Sequence, residues 1–184
     1  MSESRPLSDF FLRQSLLRLL QVQISLSPSQ TSTMSHQLAQ INVATMVGTD
    51  MDDPVMQYFK DNLDRINVIA ESSPGFVWRL KDESDNATSF DPYDDPKVII
   101  NISVWEDVES LKNFTYKSMH KELVRRRKEW FHHPVKMHYA LWWVAKGAYP
   151  TIDQAITRLD HIQKNGSSPT AFDFKEPFPQ PDQF

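Results

Sequence analysis

The sequence predicts an α+β fold of the ferredoxin-like sandwich type, with one antiparallel four-stranded sheet and helices largely on one face. The first indication is the order of periodicities, because strand and helix spacings follow one another as strand, helix, strand, strand, helix, strand, helix. The second is an acidic, Asn- and Ser-rich stretch between the second and third strands, which is typical of a hairpin connection. The third is a length of 184 residues, which suits one domain with tails.

The first half of the domain supplies three strands and one helix. Leu38–Val47 alternates in side-chain character with the period of a strand. Asp53 precedes a proline and begins a helix whose apolar residues recur at helical spacing, and a Ser-Pro-Gly turn at 73–75 ends it. Phe76–Leu80 and Lys97–Trp105 are the next two strands, and the later one has one apolar face and one partly polar face.

The second half supplies a bent helical region, a strand and a last helix. Asp107 caps a helix that continues, after a bend near Thr115–Lys117, as far as Pro134. The fourth strand, His138–Lys146, is almost wholly apolar, as expected for a strand that is covered on both sides. Thr151 opens the last helix with the pattern of a capping box.

Both ends of the sequence differ from the domain at residues 34–168. Residues 1–33 join an apolar run broken by arginines to a Ser- and Gln-rich tract. They are interpreted as a disordered extension before a start at Met34, or as a leader of the mitochondrial kind, and their deletion is expected to leave folding intact. Residues 169–184 are rich in proline and are expected to run extended across the domain or a partner.

The composition argues against several functional classes. A net charge of −4 argues against broad nucleic-acid binding, because neutralising phosphates needs a surplus of clustered Lys and Arg. The absence of cysteine excludes a disulfide, a thiolate nucleophile and a Cys-ligated metal centre, and it fits a cytoplasmic location. No stretch approaches the roughly 20 apolar residues that a membrane-spanning helix needs.

The third and fourth strands carry apolar residues on both faces. If the helices lie on one face, the other face is a large apolar patch that needs a cover. We therefore expect two sheets to pack face to face in a two-fold symmetric homodimer, through the face opposite the helices.

Three sequence runs resemble a family of uncharacterised proteins known as domain of unknown function 3291. They are VWEDVESLKNFTY, KSMHKELVRRRKEWF and LWWVAKGAYPTIDQAITRLDHIQKNGSSPTAF, and the resemblance extends over roughly Leu38 to Phe178. It implies the dimeric α/β-barrel superfamily, which also holds antibiotic-biosynthesis monooxygenases and haem-degrading monooxygenases. One fold hosts many chemistries, so this resemblance does not fix the activity.

The resemblance also implies candidate site residues. The haem-degrading branch pairs an Asn on its first strand with an aromatic residue and a His on the helix after the third strand. Asn42, Phe114 and His120 stand nearest to those positions, although His120 comes about one turn early. Cofactor-free monooxygenases of the superfamily surround a polycyclic substrate with Asn, Trp, Tyr and Arg. The substrate-binding candidates are Trp78, Arg79, Trp105, Phe114, Tyr116, Trp130 and Trp142.

Purely structural explanations compete with these roles. His120 has the spacing of a half-buried histidine on an amphipathic helix. His132 and His133 are adjacent and point apart, so a helix end is favoured over a metal pair, and no metal site is predicted. The basic run 125–128 spreads around a helix as a solvated face, unless one arginine turns inward to a carboxylate ligand. Adjacent tryptophans at 142 and 143 favour packing.

These observations leave three hypotheses for the function. The first is a cofactor-independent, monooxygenase-like enzyme of secondary metabolism, in which Asn42 and His120 orient or deprotonate an aromatic or polycyclic metabolite. The second is a non-catalytic dimeric ligand-binding or stress protein that sequesters an apolar ligand. The third is a haem protein with His120 as the axial ligand.

Overall fold

The computed structural model describes residues 36–91, 93–117 and 120–181, apart from the side chain of His120. They belong to one compact unit, Met34–Phe184. The elements are β1 (His36–Thr45), α1 (Gln57–Glu71), β2 (Phe76–Arg79), β3 (Val98–Trp105), α2 (Val108–Lys117), α3 (His120–Arg126), β4 (Tyr139–Ala145) and α4 (Ile152–Asn165). Short 3-10 turns precede α1 and follow α3. The prediction for residues 1–33 lies outside the described residues.

The sheet confirms the predicted fold class. Its strand order is β2-β3-β1-β4, every neighbouring pair is antiparallel, and this is the ferredoxin-like arrangement. β1 is central and pairs with β3 on one side and with β4 on the other. None of the helices in the described part of the chain is long and apolar enough to cross a membrane.

The caps read from the sequence are present at the helix starts. The Asp53 carboxylate accepts hydrogen bonds from the backbone N–H groups of Thr49 and Val55, each at 3.0 Å, and these bonds hold its pKa below the usual range. Thr151 and Gln154 form the reciprocal capping box that begins α4. Polar side chains therefore set where these two helical segments begin, as predicted.

The apolar face of the sheet is covered by α4. Ala155, Leu159 and Ile162 of this helix are buried against Ile41 and Trp142 and their neighbours on the same face. α1, α2 and α3 lie on the other face. This differs from the expectation of an open face, because the chain's own last helix supplies the cover that was expected from a second copy. The homodimer stays a prediction, but it no longer follows from an uncovered apolar face.

The C-terminal segment supplies a core residue to the face that carries α1–α3. Phe172 is fully buried, and its backbone N–H and C=O pair with those of Leu141 at 2.8 and 2.9 Å. The indole N–H of Trp143 donates to the backbone carbonyl of Phe178 at 2.8 Å. The C-terminal segment thus contacts β4 at Leu141 and Trp143 and contributes to the core beside it.

Candidate functional site

A cavity of about 730 Å³ lies between the partly polar face of the sheet and the helices α1, α2 and α3. Side chains of β1, β3 and β4 form its floor, and the segment 131–138 between α3 and β4 also lines it. This volume is within the range of sites that hold drug-sized molecules.

The floor of the cavity has a polar row at its centre. Asn42 lies opposite Asn101 on β3 and opposite Tyr139 on β4, so the three side chains stand side by side on one face. Both asparagines are exposed although they belong to the inner strands of the sheet. Among the described residues, the Asn42 side chain has no hydrogen-bond partner. Its amide is available to a ligand.

A second polar row lies beside the first and is fixed by hydrogen bonds. The side-chain N–H group of Gln40 donates to the Asn101 side-chain oxygen at 2.6 Å and to the Ser103 hydroxyl at 3.0 Å. The same hydroxyl accepts from the Trp105 indole N–H at 2.9 Å. Since Gln40 occupies the Asn101 oxygen, the Asn101 amide can present its N–H₂ group as a donor to a bound molecule.

Aromatic side chains form two walls. Trp105 is nearly fully buried, stacks on Phe114 with ring centroids 5.1 Å apart, and meets the edge of Phe76 at 5.3 Å. Trp130 is also buried and stacks on Tyr58 at 5.6 Å. Because their rings are held by packing, these walls exist before any ligand binds.

His138 and Tyr139 place two titratable groups at the cavity. Burial lowers the pKa of His138 below its ordinary value of 6.5, and the electrostatic effects of Arg127 and then of His133 lower it further. The imidazole is therefore neutral at pH 7 and can accept a proton. Burial raises the pKa of Tyr139, so its phenol stays protonated, and the backbone N–H of Phe174 donates to its hydroxyl at 3.3 Å.

The buried guanidinium of Arg79 anchors the acidic loop between β2 and β3 at the side of the cavity. Arg79 donates to the Glu71 carboxylate at 2.9 Å and to the backbone and side-chain oxygens of Asp85 at 2.7 and 3.0 Å. The Asn67 side chain on α1 donates to the Asn86 side-chain oxygen at 2.7 Å. These bonds hold the neighbouring residues 87 and 88 against the cavity.

The family model described as a domain of unknown function, DUF3291, matches residues 37–184. The chain belongs to the DUF3291 family. No curated protein matches it in sequence.

Three solved structures resemble the DUF3291 chain. A protein of unknown function from Nitrosomonas europaea has 13% identity, a TM-score of 0.42, and coverage of 64% of this chain and 95% of its own. A Pseudomonas aeruginosa protein has 14% identity and a TM-score of 0.41, and the match covers 62% of this chain and 98% of the other. A second Nitrosomonas europaea protein is provisionally named an antibiotic biosynthesis monooxygenase. It has 15% identity and a TM-score of 0.39, and the match covers 64% of this chain and 94% of the other.

The DUF3291 structure brings most of the candidate residues to one cavity. Those that line it are Asn42, Arg79, Trp105, Phe114, Tyr116 and Trp130. His120 begins α3, and its side chain lies outside the described part of the structure. Within residues 36–91, 93–117 and 120–181, no three His, Asp or Glu side chains lie together in a way that could hold a metal ion.

Two of the substrate-binding candidates lie on the other face of the sheet. A register shift between Phe76 and Trp78 turns the second ring to the α4 side, where it stacks on Tyr149 at 5.1 Å. Trp142 is buried beneath α4, because the alternation of β4 places Trp143 and not Trp142 on the cavity side. Neither Trp78 nor Trp142 lines the cavity.

The sequence interpretation did not select several residues that line the cavity of this DUF3291 protein. They are Gln40, Asn101, His138 and Tyr139, together with Arg127, since the basic run 125–128 had suggested one inward arginine without indicating which. A signal for Asn101 was present, because it alternates with Ser103 and Trp105 and the ferredoxin-like order makes β3 the neighbour of β1. His138 gave no comparable signal, because its position at the start of a strand does not reveal what its ring faces.

Replacing Arg79 by Gln is expected to release the acidic loop from the cavity wall. The buried guanidinium makes two hydrogen bonds to Asp85 in the loop and one to Glu71 at the end of α1, and bonds to charged groups are worth more than neutral ones. Because Glu71 and Asp85 are partly solvated, we expect amide hydrogen exchange over residues 84–89 to accelerate by about tenfold. Lys81→Gln, which breaks an exposed pair with Asp85, is the control, and equal acceleration in both variants would contradict the anchoring role.

Proposed function

We propose that this DUF3291 protein is a small-molecule enzyme of monooxygenase-like type that acts without a cofactor on an aromatic or polycyclic metabolite. The observation that carries the proposal is the coincidence, in one aromatic-walled cavity, of the neutral imidazole of His138 with the side-chain amides of Asn42 and Asn101. A cavity of this size takes fused rings, and the walls offer faces for stacking.

The proposed chemistry begins with removal of a proton from an acidic phenol, or from a CH₂ group beside a carbonyl. The imidazole of His138 accepts the proton, and the amides of Asn42 and Asn101 donate hydrogen bonds to the enolate or phenolate oxygen. The electron-rich anion then reacts with O₂. In balance, the CH₂ group and O₂ give a C=O group and water, so O₂ is the only oxidant required.

Two histidines are candidates for the base. His138 is supported by its place at the cavity and by its lowered pKa. His120 is the base predicted from the sequence, and it remains the second candidate. The haem alternative depends on His120 as the axial ligand, and the side chain of His120 lies outside the described part of the structure. The binding-protein alternative uses the same cavity without turnover.

The test is oxygen uptake with anthrone, a planar three-ring ketone that carries an acidic CH₂ group. We expect the protein to accelerate O₂ consumption and to form one molecule of anthraquinone and one of water for each O₂ consumed. Binding of anthrone without uptake would favour the binding-protein alternative. A Soret band in protein isolated from its native host would favour the haem alternative.

A further inference from the structure

The residues that line the cavity are unusual in charge. The chain has 24 Asp and Glu residues, yet none of the described residues lining the cavity is acidic. The cations and histidines that line it are Arg79, Arg127, Lys136, His132, His133 and His138. The chain as a whole has a net charge of −4, but the charged side chains that line this cavity are all basic.

Most arginines at or near the cavity form ion pairs with acidic side chains. Only the cations without such a pair offer their full charge to a ligand. Arg79 is paired with Glu71 and Asp85. Arg125 and Arg126 are paired with the two glutamates of their own helical segment. In contrast, neither Arg127 nor Lys136 forms an ion pair with any residue in the described ranges. The uncompensated positive charge is therefore at the segment between α3 and β4.

This charge lines the same cavity as the apolar side chains of the helices. Arg127 and Lys136 are exposed residues that line the cavity, and His138 is half-buried and close enough to Arg127 to be influenced by its charge. The inner wall is formed by apolar side chains of α1 and α3, among them Leu63 and Leu123. The cavity thus combines a polar floor and apolar helical walls with the positive charges of Arg127 and Lys136.

We propose that the ligand of this cavity is an organic anion, whose apolar or aromatic body enters between the helices and the sheet. Its carboxylate or equivalent anionic group is held by Arg127 and Lys136. The pairing is favourable because a guanidinium binds such a group by two parallel hydrogen bonds, while no acidic side chain of the cavity opposes it. This inference rests on the cavity of the proposed function and adds the charge class of its substrate.

Two fluorescent probes of nearly the same shape test the inference. The anionic probe is 1-anilinonaphthalene-8-sulfonate, and the neutral one is N-phenyl-1-naphthylamine, which lacks the sulfonate. We expect the protein to bind the anionic probe about tenfold or more tightly than the neutral probe, since hydrogen bonds to charged groups are worth at least this factor. The difference should shrink as salt is added.

The matched variants carry the same change in net charge. Arg127→Gln with Lys136→Gln should weaken binding of the anionic probe about tenfold and leave the neutral probe unchanged. Lys121→Gln with Lys128→Gln, at exposed positions that do not line the cavity, should change neither affinity beyond the salt effect. Melting temperatures and circular dichroism spectra confirm that all variants are folded.

The results separate this inference from the proposed function. Equal affinity of the unmodified protein for both probes would overturn the inference, as would equal losses in the two double variants or failure of the anionic probe to bind. Selective binding of the anionic probe would support the inference whether or not anthrone, which is neutral, is oxidised. Oxygen uptake from anthrone together with equal affinity for both probes would support the proposed function and overturn the inference.

Discussion

Phe172→Ala is expected to lower the free energy of unfolding by about 3–5 kcal/mol, the range for removal of a buried aromatic side chain. The ring is fully buried and lies between Trp143 and Phe178, with centroids 6.2 and 6.0 Å away. The cavity left by the ring cannot close easily, because the backbone of Phe172 is paired with that of Leu141 on β4. Urea denaturation measures the change.

The matched control for Phe172→Ala is Val135→Ala. Val135 is 98% exposed, so its truncation removes almost no buried surface and should leave the unfolding free energy within about 0.5 kcal/mol. A chain shortened to residue 168 should lose at least as much stability as Phe172→Ala. A loss below about 1 kcal/mol in Phe172→Ala would show that the C-terminal segment is not part of the cooperative core.

His138→Gln is expected to reduce turnover by roughly 100- to 10,000-fold, the usual contribution of a general base. Glutamine keeps hydrogen-bonding capacity but does not accept a proton at neutral pH, so the Kd of the substrate should change little. Turnover by the unmodified protein should fall as the pH decreases through the pKa of His138, which burial places below 6.5. The neutral form is the active one, so activity is retained above that pKa.

His161→Gln is the control for the His138 substitution, since His161 belongs to α4 on the other face of the sheet and does not line the cavity. It should leave both turnover and the acid limb of the pH profile unchanged. His120→Gln compares the second candidate base under the same assay. Loss of turnover in His120→Gln together with normal turnover in His138→Gln would assign the base to His120 and contradict the role given to His138.

Much of the fold could be predicted because it depends on local signals. The caps at Asp53 and Thr151 and the alternation of β1 and β3 act within a few residues, and all are present in the structure. The side of the sheet on which α4 packs does not depend on local signals. It is decided by the path of the chain after β4, and the apolar stripe of α4 fits either face equally well.

The candidate site was predictable only where the strand register is regular. Asn42 and Trp105 reach the cavity because β1 and β3 pair without interruption. Trp78 does not, because a register shift of one residue reverses its direction, and no residue type in β2 announces that shift. His138 was missed because the role proposed for it depends on burial and on the charge of Arg127, which spacing along the sequence does not reveal.

The central place of β1 affects how quickly the domain can fold. Both neighbours of this strand come from later in the chain. Gln40 on β1 and its hydrogen-bond partner Ser103 on β3 are 63 positions apart. The chain loses the entropy of closing these long loops before the strands form stabilising contacts. Folding is therefore expected to be slow compared with that of a helical protein of similar length. Until β3 and β4 arrive, β1 exposes two unpaired backbone edges, each able to join the same strand of another unfinished chain. Aggregation of this protein is therefore expected mainly from refolding intermediates, and its yield on refolding should fall as the protein concentration rises.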